Sequence, residues 1–285
     1  MKIAVVLDSG SDYYNQNITM EGLFAIPLQI IHDDEAFDES IEITNTQVNA
    51  LIQREKKLTT SLPPLGKIEE LFQKIKNEGY NKIFAVPITA GISGTLGAMQ
   101  MAAMAVVIDF EAFDCFTTMH IELECAIAAR KLLDQGHSLE LVKERLNEAV
   151  DHSNTFIIPD DLDHLSRGGR LSPLAAKLGG LLRIKPILHL NRQTKGVIDP
   201  FDKVRTMSKA IDTVIEEMAS KGVNEDYFIT VVDVSAPHEL EKTVDKMRAR
   251  FPNTEIRVTQ LISTVSVHVG IGTIAIEYMK NIDLS

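Results

Sequence analysis

Hydrophobic runs alternate with polar turns through the first half of the chain, in the order expected of a parallel α/β sheet. Short apolar runs predict buried strands, and longer amphipathic runs that end near a glycine predict helices. The predicted strands cover 2–7, 83–88 and 110–116, and the predicted helices cover 67–77, 95–107, 121–134 and 138–150. Strands that alternate with helices form βαβ units, so residues 1–150 are expected to be an N-terminal three-layer α/β domain with a parallel sheet.

The second half of the chain predicts another α/β domain, with a mixed sheet, over residues 151–285. Its predicted strands cover 155–158, 184–190, 227–233 and 255–260, and its predicted helices cover about 203–220, 237–250 and 271–280. The run from Ile262 to Thr273 is strand-like. The polar segment from Asn191 to Gly196 is typical of a hairpin turn.

Composition narrows the class of protein. The net charge of −11 disfavours nucleic acid and anionic lipid surfaces as partners, because both are negative. Apolar runs of about 18 residues or more are absent, so no stable membrane insertion is expected, and the first residues do not resemble a signal peptide. A cytoplasmic location is therefore expected. Two cysteines, Cys115 and Cys125, suit neither a disulfide framework nor a zinc site, and no metal is expected.

The segment from Ile83 to Ala98 has the order of an anion-binding site. An apolar strand enters a short polar turn, and a helix follows it. The first turn of a helix carries unpaired N–H groups and a positive dipole end, to which Ser93 and Thr95 add hydroxyl groups. The turn lacks the lysine and the glycine spacing of a triphosphate loop, so a single carboxylate or monophosphate fits better. An ordinary buried helix is the alternative.

The helix after this turn is apolar over most of its surface. Met99, Met101 and Met104 are therefore candidates for the wall of an apolar pocket beside the polar turn. The alternative is that these side chains belong to an ordinary α/β core.

Two further segments carry candidate binding groups. Thr60 and Ser61 precede two prolines that fix the backbone, so their hydroxyl groups could be held as donors, or Ser61 could cap the next helix. Later, a glycine pair presents Arg167 and Arg170, which suit a carboxylate, a phosphate or a negatively charged partner. Their alternative role is a structural ion pair with Asp161 or Asp163.

His268 lies at the end of the strand-like run, before a glycine turn, where it could donate a hydrogen bond to an anion. A histidine satisfied by backbone carbonyl groups is the structural alternative. Lys203 and Arg205 form a basic pair at the predicted start of a helix. Because the helix dipole disfavours cations there, a contact with a partner is one explanation and a solvated pair is the other.

Six segments together resemble a known family. They are DSGSD, TTSLPP, ISGT, LSRGGRLSPLAAKLGGLLRIKPIL, KVR and SVHVGIG, in this order along nearly the whole chain. This set resembles DegV-family proteins, the fatty-acid-binding subunits of bacterial fatty acid kinase. The resemblance implies that a long-chain fatty acid binds between the two domains, with its acyl tail in the N-terminal domain. It also implies that this chain is not itself the enzyme and carries no cofactor.

The resemblance assigns roles to particular residues. It implies that the fatty-acid carboxylate contacts Thr60, Ser61, Ser93, Thr95 and His268. Arg170 and Arg205 are the positions that would receive a separate ATP-binding kinase subunit near the mouth of the site. That subunit would phosphorylate the bound acid to an acyl phosphate for phospholipid synthesis.

This chain departs from the family pattern at a few positions. Leu96 and Gly97 follow the ISGT turn in place of an aromatic and a polar residue, and Ile271 replaces the proline of the late glycine turn. Pro64 replaces a common serine. These departures leave Ser93 and His268 in place and concern the shape of the pocket and its chain preference.

Two other functions compete with a fatty acid carrier. A serine hydrolase would use Ser93 as nucleophile, His268 as base and Asp8 to orient the base, but Thr95 stands where the G-x-S-x-G elbow needs its second glycine. A subunit like that of dihydroxyacetone kinase would bind a small polar ketone. It would explain His268 but would leave the apolar helix without a ligand.

Overall fold

The computed structural model describes residues 2–167, 169–173 and 184–285. Its strands are β1 (Ile3–Asp8), β2 (Leu23–Ile26), β3 (Gln29–His32), β4 (Glu35–Asp38), β5 (Leu58–Ser61), β6 (Lys82–Val86), β7 (Asp109–Ala112), β8 (Ser153–Ile158), β9 (Lys185–Leu190), β10 (Asp199–Val204), β11 (Tyr227–Asp233), β12 (Glu255–Gln260) and β13 (Ile274–Lys280). Its helices are α1 (Asn45–Gln53), α2 (Leu65–Asn77), α3 (Thr95–Val106), α4 (Met119–Asp134), α5 (Leu139–Asp151), α6 (Leu162–Arg167), α7 (Met207–Ser220), α8 (Pro237–Arg250) and α9 (Ser263–Val269).

The first half contains a parallel sheet between two layers of helices. Its strand order is β2-β1-β6-β7, and all three pairings are parallel. Every residue of β1 is buried, since helices cover both faces of the sheet. One face packs on α2 and α3 through Phe72 and Met99, and the other packs on α4 and α5 through Leu132 and Leu146. This confirms the predicted three-layer α/β arrangement.

A small antiparallel sheet, β4-β3-β5, lies beside this domain together with α1. The sequence did not predict it, because its strands have only four residues each and show no strong alternation of apolar and polar positions. Asp33 and Asp34 join β3 to β4 with φ angles of 50° and 66°. Aspartate tolerates this left-handed conformation without a glycine, so the usual Asn-Gly or Asp-Gly hairpin signal is missing.

The second half forms a six-stranded mixed sheet with the order β10-β9-β8-β13-β11-β12. Only the β11–β12 pair is parallel among the described strands of this sheet. Helices α7 and α8 cover one face, where Phe156, Val231 and Ile276 are buried. The opposite face carries Ile157 and Ala275, which cluster with Met119 of α4, so this face packs against the N-terminal half.

Several predicted elements of the second half are confirmed. The strands 227–233 and 255–260 and the helix 237–250 have the predicted bounds. Residues 191–196 form the turn between the antiparallel strands β9 and β10, as predicted.

Three predictions in the second half are wrong. Residues 271–280 contain the strand β13 rather than a helix, and the strand-like run from Ile262 contains the helix α9. The helix predicted to start near 203 begins at Met207, because Lys203 and Val204 end β10 and Thr206 provides the N-cap. Thr and Val favour strands locally, yet α9 is helical because its packing decides between the two structures.

Within the described part of the chain, no helix combines the length and the apolar character needed to span a membrane. The same residues contain no group of three or more His, Cys, Asp or Glu side chains arranged to hold a metal ion.

Candidate functional site

A cavity with about 240 Å³ of free space lies where the two halves of the chain meet. Residues from both halves line it, and most of the polar residues singled out from the sequence are among them. The described lining residues are Leu28, Thr60, Ser61, Leu62, Ile88, Ile92, Ser93, Gly94, Arg170, Ile198, Thr264, Val265, His268 and Val269. The structure therefore brings together six separate segments of the described chain, as a ligand site between two domains requires.

Ser93 lies in the turn after β6, two residues before α3 begins. Its Oγ is 2.8 Å from Oγ1 of Thr95 and accepts a hydrogen bond from the Thr95 backbone N–H at 3.2 Å. Thr95 is fully buried and is not among the described lining residues. Thr95 thus orients the Ser93 hydroxyl group from behind, whereas Ser93 faces the cavity.

Thr60 and His268 form a pair across the cavity. Thr60 Oγ1 lies on β5, 2.7 Å from His268 Nε2 on α9. Burial, together with the positive charges of Arg170 and His164, lowers the pKa of His268 to about 4. The imidazole is therefore neutral near pH 7, and either the threonine hydroxyl or the imidazole N–H donates in this bond.

Ser61 also lines the cavity, at the end of β5. Its hydroxyl group donates to the carbonyl oxygen of Leu62 at 3.1 Å. The next helix, α2, has Pro64 as its N-cap and no side-chain cap. The alternative in which Ser61 caps that helix is therefore wrong.

The two candidate docking arginines lie in different environments. Arg170 lines the cavity close enough to His268 for its charge to lower the imidazole pKa. Arg205 is exposed in the bend between β10 and α7, and it is not among the described lining residues. The first glycine of the pair before Arg170, Gly168, and residues 174–183 of the same segment lie outside the described residues.

A second, apolar cavity, with about 30 Å³ of free space, adjoins the first. The two share Ile92, Ile198, Val265 and Val269 as walls. Strands and loops of the C-terminal half supply most of the remaining described walls, which are Ile157, Leu190, Val232, Leu261, Ala275, Ile276 and Glu277, together with Thr118, Met119 and Thr155. A ligand with a polar head in the first cavity would therefore reach an apolar interior.

The three methionines of α3 lie elsewhere. Met99 is fully buried in the core between α3, α2 and the sheet, while Met101 and Met104 are 56% and 74% exposed. None of them lines either cavity among the described residues. Helix α3 packs through Ala98, Met99 and Ala102, and its opposite face meets solvent. The assignment of the three methionines to an acyl pocket stays a prediction.

Sequence reasoning missed several residues that build the site. The shared apolar walls Ile198, Val265 and Val269 lie on segments that were assigned no function or the wrong secondary structure. Asp8 is fully buried, and its carboxylate accepts hydrogen bonds from the backbone N–H groups of Gly10 and Ile88. Asp8 thus ties the ends of β1 and β6 together, and burial raises its pKa to about 7. The sequence analysis named Asp8 in the DSGSD motif and as the orienting group of a hydrolase, but not for this structural role.

The geometry does not assemble the serine hydrolase alternative. His268 is bonded through Nε2 to Thr60, and the Asp8 carboxylate is bonded to backbone amides. A hydrolase would need the histidine to bond the nucleophile on one side and the carboxylate on the other.

Comparison with known proteins agrees with the motifs and the fold. A family model described as "Uncharacterised protein, DegV family" matches residues 2–281. The chain belongs to the DegV family. This confirms the resemblance that the six sequence segments indicated, and the match includes all of them.

Relatives within the DegV family match over nearly their full length. Protein DegV of Bacillus subtilis is 32% identical over 283 residues, which are 97% of this chain and 98% of that protein. A solved structure described as DegV, a fatty acid binding protein from Bacillus subtilis, is 31% identical, has a TM-score of 0.84 and covers 98% of this chain and 99% of its own. A fatty acid binding DegV family protein from Streptococcus agalactiae, 24% identical, has a TM-score of 0.87 and covers 98% and 99% of the two chains, which shows the shared fold.

Proposed function

We propose that this DegV-family chain binds one long-chain fatty acid and presents its carboxylate to a separate ATP-binding kinase subunit. The observation that carries the proposal is the pair of adjoining cavities, one lined by hydroxyl groups, an imidazole and an arginine, the other almost wholly apolar. A fatty acid has the same two parts in the same order.

The polar cavity suits the carboxylate. Removing a carboxylate from water without hydrogen bonds costs several kcal/mol, so a bound head group needs donors. Ser93 can provide one, and the bonded Thr60–His268 pair, which uses one of its two protons internally, can provide another, with Ser61 beside them and Thr95 holding Ser93. The guanidinium group of Arg170 adds a positive charge to the same cavity. The head group thus fixes the orientation of the ligand.

We place the acyl tail in the apolar cavity, where it would supply most of the affinity. The free space there, about 30 Å³, is far smaller than an acyl chain, so the wall side chains would have to move apart to admit the tail. Burying each CH₂ group gains about 0.8 kcal/mol, so a chain of about sixteen carbons gains far more than a micromolar complex needs. Among the described residues, most of the walls belong to the C-terminal half. The proposed path of the tail therefore differs from the expectation that it lies in the N-terminal domain.

A relative supports the ligand class. The Bacillus subtilis DegV structure, 31% identical to this chain, is described as a fatty acid binding protein. The residues proposed here as carboxylate contacts come from the family resemblance and from their common position in one cavity.

The kinase step also follows the family resemblance. In the proposed reaction, a carboxylate oxygen bonds to the γ-phosphorus of ATP as the bond to the β–γ bridging oxygen breaks, so ADP leaves and an acyl phosphate forms. The nucleotide would arrive with the partner subunit, which Arg205 and Arg170 would contact. Use of the product in phospholipid synthesis and a cytoplasmic location are parts of the same proposal.

Native mass spectrometry of the freshly purified protein, followed by organic extraction, tests the ligand. One fatty acid bound to each chain is expected. The proposal fails if no lipid is released and added palmitate or oleate does not raise the unfolding temperature. For the kinase step, hydroxylamine would trap the acyl phosphate made with ATP and the partner subunit; a complex that binds fatty acid but yields no hydroxamate would overturn that step alone.

A further inference from the structure

The helix α9, which carries His268, is held by the N-terminal half of the chain. Its first residue, Ser263, donates a hydrogen bond from Oγ to Asn45 Oδ1 on α1 at 2.6 Å. Val267 packs with Ile30 of β3 and Val48 of α1. A helix of seven residues is not stable alone, so these contacts decide its orientation.

Glu39 bonds the first turn of α9 through both oxygens of its carboxylate. Its side chain is fully buried, and Oε1 accepts hydrogen bonds from the Thr264 backbone N–H at 2.6 Å and from the Thr264 hydroxyl group at 3.0 Å. Its Oε2 is 3.1 Å from the same hydroxyl group and accepts a short bond from the Ser9 hydroxyl group. Ser9 in turn accepts a bond from the Leu28 backbone N–H at 2.9 Å.

We infer that Glu39 is the positioning residue for His268. The Glu39 carboxylate, directly after β4, binds Ser9 at the end of β1 and Thr264 in the first turn of α9, and so fixes the imidazole against Thr60. The inference rests on the proposed function, in which His268 contacts the fatty-acid carboxylate. Glu39 itself does not line the cavity among the described residues.

The geometry explains why the position of α9 matters for the ligand. Val265, His268 and Val269 lie on α9 and all line the polar cavity. The His268 imidazole is bonded to Thr60 at 2.7 Å, and a hydrogen bond tolerates little displacement. A small rotation of α9 about its axis would therefore take the imidazole away from Thr60. His164 donates from Nε2 to the Val267 carbonyl oxygen at 2.9 Å and supports the other end of α9.

A carboxyl group is a costly choice for this place. Burial raises the pKa of Glu39 to about 7, the hydrogen bonds from Ser9 and Thr264 oppose that rise, and the charge of Asp8 adds to it. Replacing Glu39 and its hydrogen-bonding partner with apolar side chains of similar volume would be expected to keep or raise the stability of the protein. What the carboxyl group adds is an acceptor on each of two oxygens, directed at two different domains.

The experiment compares Glu39→Ala, Glu39→Gln and Glu35→Gln in the full chain. Glu35 lies exposed on β4 and serves as the matched control. The imidazole of His268 is followed by NMR as a function of pH, with its resonance assigned by its loss in His268→Gln. Binding of a fluorescent long-chain fatty acid is measured on the same samples.

In the wild type and in Glu35→Gln, His268 is expected to titrate with a pKa of about 4. In Glu39→Ala, α9 shifts and water reaches the imidazole, so the pKa should rise towards its ordinary value of 6.5 and affinity should fall about tenfold. Glu39→Gln keeps an acceptor for the Thr264 N–H and is expected to restore most of both values.

A folded Glu39→Ala protein with the wild-type His268 titration and affinity, and only a lower unfolding temperature, would overturn the inference. If Glu39→Ala does not fold, Thr264→Val removes the hydroxyl contact to Glu39; because Thr264 also lines the cavity, the His268 titration alone is compared with the wild type, with the same two outcomes. A wild-type protein that binds no fatty acid would refute the proposed function instead, and the His268 titration would still decide whether Glu39 positions the imidazole.

Discussion

Thr60 Oγ1 and His268 Nε2 lie 2.7 Å apart, although 208 residues separate them in the chain. Thr60 belongs to the small antiparallel sheet of the N-terminal half, and His268 belongs to the C-terminal half. Because each half supplies one partner, the polar side of the cavity forms only when the two halves are docked. Changes at their interface should therefore affect ligand binding even where they touch no ligand.

Replacing Ser93 with alanine is expected to weaken fatty acid binding about ten- to hundredfold, because a hydrogen bond to a charged group is lost. The unfolding temperature of the ligand-free protein should change little, since Ser93 is half-buried in a turn. Isothermal titration with palmitate and thermal unfolding measure the two effects. Ser220→Ala, at an exposed helix end, is the control. A large loss of ligand-free stability with unaltered affinity would show that Ser93 serves only the start of α3.

Replacing Arg170 or Arg205 with alanine is expected to have different effects on fatty acid affinity and on phosphorylation by the partner. Arg170→Ala should lower affinity for the fatty-acid anion several-fold, because Arg170 lines the cavity. Arg205→Ala should leave affinity unchanged and slow acyl phosphate formation by the partner kinase. Direct binding and hydroxamate assays on both variants provide the measurement. Unchanged affinity in Arg170→Ala would place this arginine on the partner-facing surface alone.

Filling the apolar cavity should exclude the acyl tail. Ala275 lines that cavity, so Ala275→Phe is expected to reduce affinity for palmitate more than tenfold while a short-chain acid is affected less. Met104→Lys, on the exposed face of α3, is the control and should bind as the wild type does. Loss of binding in Met104→Lys with normal binding in a folded Ala275→Phe would move the tail to the α3 side.

The contact between Gly91 and Gly196 should set the distance between the two halves. A Cβ atom on Gly91 would overlap the backbone of Gly196 in the β9–β10 turn. Gly91→Ala is therefore expected to destabilise the protein by about 1–3 kcal/mol and to weaken fatty acid binding. Urea unfolding and ligand titration measure both.

Gly97→Ala is the matched control for that change, because a Cβ at this exposed position of α3 meets nothing within 4 Å. Helix propensity predicts a gain of about 0.5–1 kcal/mol there. If Gly91→Ala is tolerated as well as Gly97→Ala, the contact does not set the distance between the two halves.

The stability of Glu39→Gln relative to the wild type should depend on pH. The folded pKa of Glu39, about 7, lies above its ordinary value of 4.5, so the folded protein keeps a proton that the unfolded chain releases. This contribution to wild-type stability is fully present below about pH 4.5 and is lost as the pH rises through about 7. Glutamine does not titrate, so the variant should gain on the wild type over this range. Urea unfolding at about pH 5, 6, 7 and 8 tests this; an equal difference at every pH would contradict it.

The sequence alone was sufficient for the elements with strong local patterns. The fully buried strands β1 and β11 and the amphipathic helix α8 are evident from periodicity, because their burial follows from their own residues. The same local order of strand, polar turn and helix predicts an anion site at Ser93, and it places Ser93 correctly in the turn before α3. The motif order was enough to identify the family.

Only the tertiary structure decided which residues meet. Helix α9 looks like a strand from its own residues, and it is helical because Glu39, Asn45 and Ile30 hold and bury it from distant parts of the chain. Met101 and Met104 look like pocket residues until the packing of α3 turns them towards solvent. Burial and contact across 200 residues are properties of the docked halves, and no local pattern of apolar and polar positions contains them.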